Sequence, residues 1–232
     1  MHSIDRKQSH MMELSGPSQP PAGGGKPKQL VVLLHGYGSN GDDLIGLAPF
    51  FAQALPEAEF LSPNAPFPCE ISPMGFQWFA LEDRSPEMKL GGVRLAAEIL
   101  DPFLDAELSR RDLKDRDLAL IGFSQGTMMS LHVGPRRPKQ IGGILGFSGA
   151  LIGPQLLAAE MKSKPRTFLV HGTADQVVPF GALAQAEKAL QDVGISVETE
   201  SRPGLVHSID QVGAQKGALF LRRCFGGAAA AQ

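Results

Sequence analysis

The chain has 232 residues, 43% hydrophobic and 20% charged, with 22 Lys and Arg against 24 Asp and Glu. That is ample for one large domain with a full core, and the near-neutral balance argues against binding polyanions through a broad basic face. Two widely separated cysteines, Cys69 and Cys224, argue against a disulfide-built secreted fold or a zinc site, and aromatics at 6% argue against a stacking platform for single-stranded nucleic acid.

In chain order, the polar start MHSIDRKQSHMMELSG has no apolar stretch of secretory length, and residues 1–11 read as a leader ahead of Met11 or Met12. Residues 13–28 are dense in Pro, Gly and Ser, so 1–27 is expected to be a flexible arm, 28–226 one domain and 227–232 a flexible tail. Apolar runs at 29–36, 58–63, 117–124, 141–149, 166–172 and 195–200 read as strands, mostly covered on both faces. Between them, 43–55, 89–111, 125–133, 154–161, 180–193 and 208–225 show helical spacing, for instance Leu95, Ile99, Leu100, Phe103 and Leu104. Alternating strands and helices predict the α/β class, a mostly parallel doubly wound sheet with helices on both faces. No run is long enough to span a bilayer, and a cytoplasmic protein is expected.

In such sheets function sits where strands end. The run at 117–124 ends in GFSQG, the nucleophile-elbow spacing, in which the glycines make room for a sharp strand-to-helix turn that exposes Ser124. The pattern alone is weak, but the buried run LALI before it and the helical TMMSLHV after it sharpen it. A serine needs a base, and the base a third group to orient it. Asp175, in HGTADQVVP, and His207, in PGLVHSI, follow in the order serine, acid, histidine, each at the end of a different strand. The competing readings are a helix cap for Asp175 and a buried structural histidine for His207. Ser148, in GFSGA, lacks the second glycine and reads as a strand-end residue. The glycine-rich loop HGYGSNGDD lets backbone approach a ligand closely, so the N–H groups of Tyr37 and Gln125 are the predicted oxyanion donors, with His35 bracing the loop. A phosphate loop is disfavoured, since no P-loop or dinucleotide spacing is present.

Four motifs in order, LLHGYG, GFSQG, HGTADQVVP and GLVHSI, resemble the phospholipase/carboxylesterase family of α/β-hydrolases, which includes acyl-protein thioesterases; the resemblance covers 29–225. It implies the same catalytic Ser124, Asp175 and His207 and the same two donors. It also implies a cytoplasmic esterase of short to medium acyl chains, and leaves a homodimer open. The chain departs from the family in Tyr37, where leucine is common, in GFSQGT for GFSQGG, and in PNAPFPCEISPMGFQWFALED for PxAPxxxVTxNxGxxMxxWFD.

That last segment supplies Phe67, Ile71, Met74, Phe76, Trp78 and Phe79, which are expected to line the acyl pocket, against the simpler reading that they pack over the sheet. About 50 residues separate Ser124 from Asp175, too few for a large cap domain beside a strand and a helix. The leading reading is a serine carboxylesterase on small-molecule esters, whose rate rises with pH through the ordinary histidine range, about 6 to 7. A thioesterase or lysophospholipase on the same fold is the nearest rival, and a non-catalytic hydrolase-fold binding protein a remote one. No motif calls for a metal, nucleotide or flavin, and nucleic acid is not an expected partner.

Overall fold

A computed structural model describes residues 14–83 and 85–226. The leader at 1–11 and the tail at 227–232 lie outside the described residues. The chain order is β1 (Ser18–Gln19), β2 (Gln29–Leu34), α1 (Gly41–Ile45), α2 (Ala48–Ala52), β3 (Ala58–Leu61), β4 (Phe67–Cys69), β5 (Ser72–Gln77), α3 (Pro86–Arg111), β6 (Leu118–Phe123), α4 (Gln125–Arg136), β7 (Gly143–Phe147), α5 (Leu157–Glu160), β8 (Thr167–Gly172), α6 (Gly181–Asp192), β9 (Val197–Arg202) and α7 (Gln211–Cys224).

Seven strands form one sheet in the order β1-β3-β2-β6-β7-β8-β9, parallel throughout except for β1 against β3. Side chains of a strand alternate between faces, and β2 shows what that does. Leu30, Val32 and Leu34 join a core with Val93, Leu100, Leu104 and Met129, from α3 and α4. Val31 and Leu33 join the opposite core with Phe51, Ala214 and Phe220, from α2 and α7. Two covered faces explain why β2 reads as an unbroken apolar run. The outermost β9 is only half-buried and carries Glu198, Glu200 and Arg202.

Three expectations change. The predicted helix at 43–55 is two short helices, because the chain turns at Gly46 and Leu47 and restarts with Pro49 in the first turn of α2. The segment at 67–77 is a two-stranded antiparallel hairpin, β4–β5. Most of all, residues 14–27 are not a loose arm. Leu14 is buried, the Ser62 N–H donates to Pro17 O at 3.0 Å, the Asn64 N–H to Ser15 O at 2.9 Å and the Gly23 N–H to Pro56 O at 2.9 Å. Gly16 fits because a Cβ there would stand 2.1 Å from Ser62 O. Composition missed this because pairing along the edge of β3 uses backbone groups, and an edge tolerates Pro and Gly.

Candidate active site

β6 is wholly apolar up to Phe123, and α4 begins at Gln125, so the chain reverses within one residue. That residue, Ser124, has φ +53° and ψ −114°, a conformation that costs a non-glycine side chain about 1–3 kcal/mol. Contact geometry explains the flanking glycines. A Cβ on Gly122 would lie 2.4 Å from Thr127 N, and one on Gly126 only 1.8 Å from Leu34 O. Helix α4 can therefore sit against β2 only if position 126 has no side chain. Ser148 repeats the positive φ (49°) at the end of β7, but its hydroxyl is buried and lines no part of the cleft described below.

Two loops from neighbouring strands meet beside the serine. The Thr173 N–H donates to Arg202 O and the Ala174 N–H to Leu205 O, both at 3.0 Å, and a Cβ on Gly172 would come within 2.2 Å of Leu205 O. Locked together, they bring Asp175 under His207. One Asp175 oxygen, Oδ1, accepts the N–H groups of Val177 and Val178 at 2.9 Å each; Oδ2 accepts the Nδ1–H of His207 at 2.8 Å. His171 Nε2 lies 3.3 Å from the same Oδ2, and its N–H donates to Val178 O at 2.9 Å. Burial by itself would raise the Asp175 pKa, but the hydrogen bonds from His207, Val178 and Val177 outweigh it and hold the carboxyl below the ordinary aspartate range. With Asp175 accepting at Nδ1, the neutral form of His207 carries its lone pair on Nε2, and the Phe123 ring packs 4.9 Å from the imidazole centroid.

The first loop is braced by His35, fully buried. Its Nδ1–H donates to Gly36 O at 2.8 Å and its Nε2 accepts the Ala65 N–H at 2.9 Å, while burial lowers its pKa, so the ring is neutral. The peptide N–H groups of Tyr37 and Gln125 have no hydrogen-bond partner among the described residues, and both residues line the cleft with Ser124 and His207. Hairpin β4–β5 grips both of them. The Gly38 N–H donates to Phe76 O at 2.9 Å and the Phe76 N–H to Ser39 O at 2.7 Å. The Gln125 side chain accepts the Trp78 N–H at 2.8 Å and donates to Phe79 O at 2.6 Å. The Tyr37 hydroxyl donates to Glu70 at 2.8 Å, and burial together with that carboxylate raises the phenol pKa.

The cleft has a volume of about 500 Å³. Of the six residues expected to line it, only Ile71 does. Trp78 is fully buried, its Nε1–H donating to His35 O at 3.0 Å, whereas Met74 is 82% exposed. Phe67 and Phe79 face a separate groove beside Met88 and Leu95, and Phe76 packs on the core. The wall comes instead from Leu81, Phe123, Met128, Ile152, Val177 and Ala182. Two of these had a signal in the sequence: Met128 is one helical turn beyond Ser124, and Val177 is inside the HGTADQVVP motif. Among the described residues no cluster of three His, Cys, Asp or Glu could hold a metal ion, and no helix is long and apolar enough to cross a membrane.

A mostly parallel open sheet, with helices on both faces and a serine on the turn after its central strand, is the architecture of the α/β-hydrolases. Comparison with known proteins narrows it. The profile described as Phospholipase/Carboxylesterase matches residues 21–225. The crystal structure of esterase PE8 is 41% identical, with a TM-score of 0.88 over 91% of this chain and 99% of that one. A probable carboxylesterase of Oryza sativa subsp. japonica is 29% identical over 84% of this chain and 77% of its own length. Acyl-protein thioesterase 1 of Schizosaccharomyces pombe is 31% identical over 77% of this chain and 83% of its own. The chain belongs to the phospholipase/carboxylesterase family and is a carboxylic ester hydrolase.

Proposed function

We propose that the protein is a serine carboxylesterase for short- to medium-chain esters, working through an acyl-enzyme with Ser124 as nucleophile, His207 as general base and Asp175 as its orienting partner. What supports this best is the 2.8 Å bond from His207 Nδ1 to a buried, ionised Asp175 at the edge of the cleft that Ser124 shares. His207 Nε2 takes the Ser124 hydroxyl proton as Oγ attacks the ester carbonyl. The negative oxygen is stabilised by the N–H groups of Tyr37 and Gln125, which no acceptor among the described residues occupies. Collapse expels the alcohol, protonated by His207; a water deprotonated by the same nitrogen then attacks the acyl carbon and frees the acid and Ser124 Oγ.

The chain-length range follows from the cleft. About 500 Å³ with an aliphatic wall suits a modest acyl chain. Between Ser124 and Asp175 there are only α4, β7, a short turn, α5 and β8, so no inserted lid extends it. Thioesters pass through the same intermediate, and their hydrolysis is the second reading. With two free cysteines and no disulfide among the described residues, the compartment we propose is the reducing cytoplasm.

The test is hydrolysis of p-nitrophenyl esters from acetate to dodecanoate by the wild type and Ser124→Ala. Expected is turnover of the shorter esters, falling with length, and a loss of about 10⁴-fold or more in the variant. A variant that keeps its rate removes Ser124 from the mechanism. Wild type inert on every ester but active on an acyl thioester would favour the second reading.

A further inference from the structure

One residue of the cleft wall is out of keeping with the rest. Lys89, in the first turns of α3, lines the cleft beside its aliphatic side chains and is half-buried there. His207 apart, it is the single charged side chain lining the cleft among the described residues. Among the described residues its ammonium makes no ion pair and no hydrogen bond. Acidic residues that bond cleft-lining side chains, or that stand close to Lys89 in sequence, have other partners. Asp43 accepts the Ser39 hydroxyl at 2.8 Å, Glu70 accepts Tyr37 and Gln77, and Asp83 accepts the Ser85 N–H at 2.8 Å. Glu82 and Asp83 face the neighbouring groove rather than the cleft. Leu90, the next residue, packs on Gly153 beside Ile152, which fixes this end of α3 at the cleft.

An ammonium at an apolar wall, with no internal counter-ion, holds a strong field at low dielectric and offers its donors to whatever enters. We infer that Lys89 is an anion-recognising position, and that the preferred esters carry a second, anionic group, a carboxylate or a phosphate, at a reach from the scissile bond set by the wall between Lys89 and Ser124. Lysine acts as a point charge, without the fork geometry that would select one oxyanion over another. This rests on the esterase reading above and adds the substrate class to it.

The experiment compares matched esters. On the acyl side, the mono-p-nitrophenyl ester of adipate is set against p-nitrophenyl hexanoate; on the alcohol side, butyryl glycerol phosphate against butyryl glycerol. Lys89→Met keeps the apolar stem and removes the charge. In that variant KM for the charged member of one pair should rise about 10-fold more than KM for its neutral partner, with the ratio of their kcat values unchanged, and Lys89→Arg should restore the discrimination. Whichever pair responds says on which side of the ester the anion sits. Equal changes within both pairs would make Lys89 a wall residue and overturn the inference. NMR titration of Ser124→Ala with monoethyl adipate and ethyl hexanoate reads the same preference without turnover. Loss of activity in every wild-type assay therefore sinks the esterase reading, while equal changes within both ester pairs, together with equal binding of the two ethyl esters, sink the anion position.

Discussion

The N–H groups of Gln125 and Tyr37 stand at the ends of adjacent strands, β6 and β2, yet opposite kinds of constraint fix them. The Gln125 peptide is held first by local sterics: a five-residue motif in which a Cβ on Gly122 would meet Gly126 and Thr127 of its own turn, and one on Gly126 would meet Leu34 O of β2. Tyr37 is held from a distance, by a hairpin some 30 residues further along that bonds to Gly38, Ser39 and the Tyr37 hydroxyl. The first kind of constraint is written in adjacent letters and breaks when one atom is added. The second is a set of separate hydrogen bonds, so it weakens by degrees.

The largest effect is expected from Gly126→Ala. The new methyl must displace Leu34 O or push α4 off β2, so unfolding stability should drop by about 3 kcal/mol, read by urea denaturation, and activity with it. Indifference to the methyl would mean the elbow is not set by that contact. Next comes acid. His132, buried in α4 behind the elbow, has its pKa lowered to about 4 by burial, reinforced by the charge of Arg136 and opposed by Glu160. Between pH 6.5 and 4 the unfolded chain binds a proton that the folded one refuses, so stability should fall by about 3 kcal/mol as pH drops through that window. Asp175, held below the ordinary range, adds a further loss only at lower pH still. His132→Gln should flatten the first slope in pH-dependent urea titrations; an unchanged slope assigns it elsewhere.

On the hairpin side the effects are smaller. Gln125→Ala leaves the Trp78 N–H and Phe79 O buried without their partner and should cost about 2 kcal/mol, with turnover reduced several-fold while the Gln125 peptide donor remains. Tyr37→Phe removes one half-exposed bond to Glu70 and should cost under about 1 kcal/mol. It should shift KM and acyl-length preference but leave kcat close to wild type, since the oxyanion donor proposed there is the peptide N–H. A large fall in kcat would show that the hydroxyl, not the peptide, is what matters at this position.

The same division explains how much could be read beforehand. Strands at 29–36 and 117–124 announce themselves because burial on both faces demands an unbroken apolar run, and they form at Gln29–Leu34 and Leu118–Phe123. GFSQG and HGTADQVVP are legible because glycine and aspartate meet local requirements, and the structure brings Asp175 and His207 into contact, with Ser124 and His207 at one cleft. The 67–79 segment misled because its apolar residues serve different masters. Trp78 fills the core and bonds to His35, while Met74 lies in solvent. Nothing in their spacing says which neighbour each will find. Lys89 was silent for a similar reason: a lysine in the first turns of a helix looks like any solvated charge until the fold puts an aliphatic wall beside it.

At one margin of the sheet, β9 deters intruding strands with Glu198, Glu200 and Arg202; at the other, β3 relies on Pro17 to Gln19 lying across its free peptide groups. Those residues sit in the stretch that an editor of expression plasmids would trim first, because it is rich in proline and glycine. Cutting there would remove none of the proposed catalytic groups, yet it would open a ready-made template for strand-to-strand association, and the molecule would self-associate before it lost its chemistry.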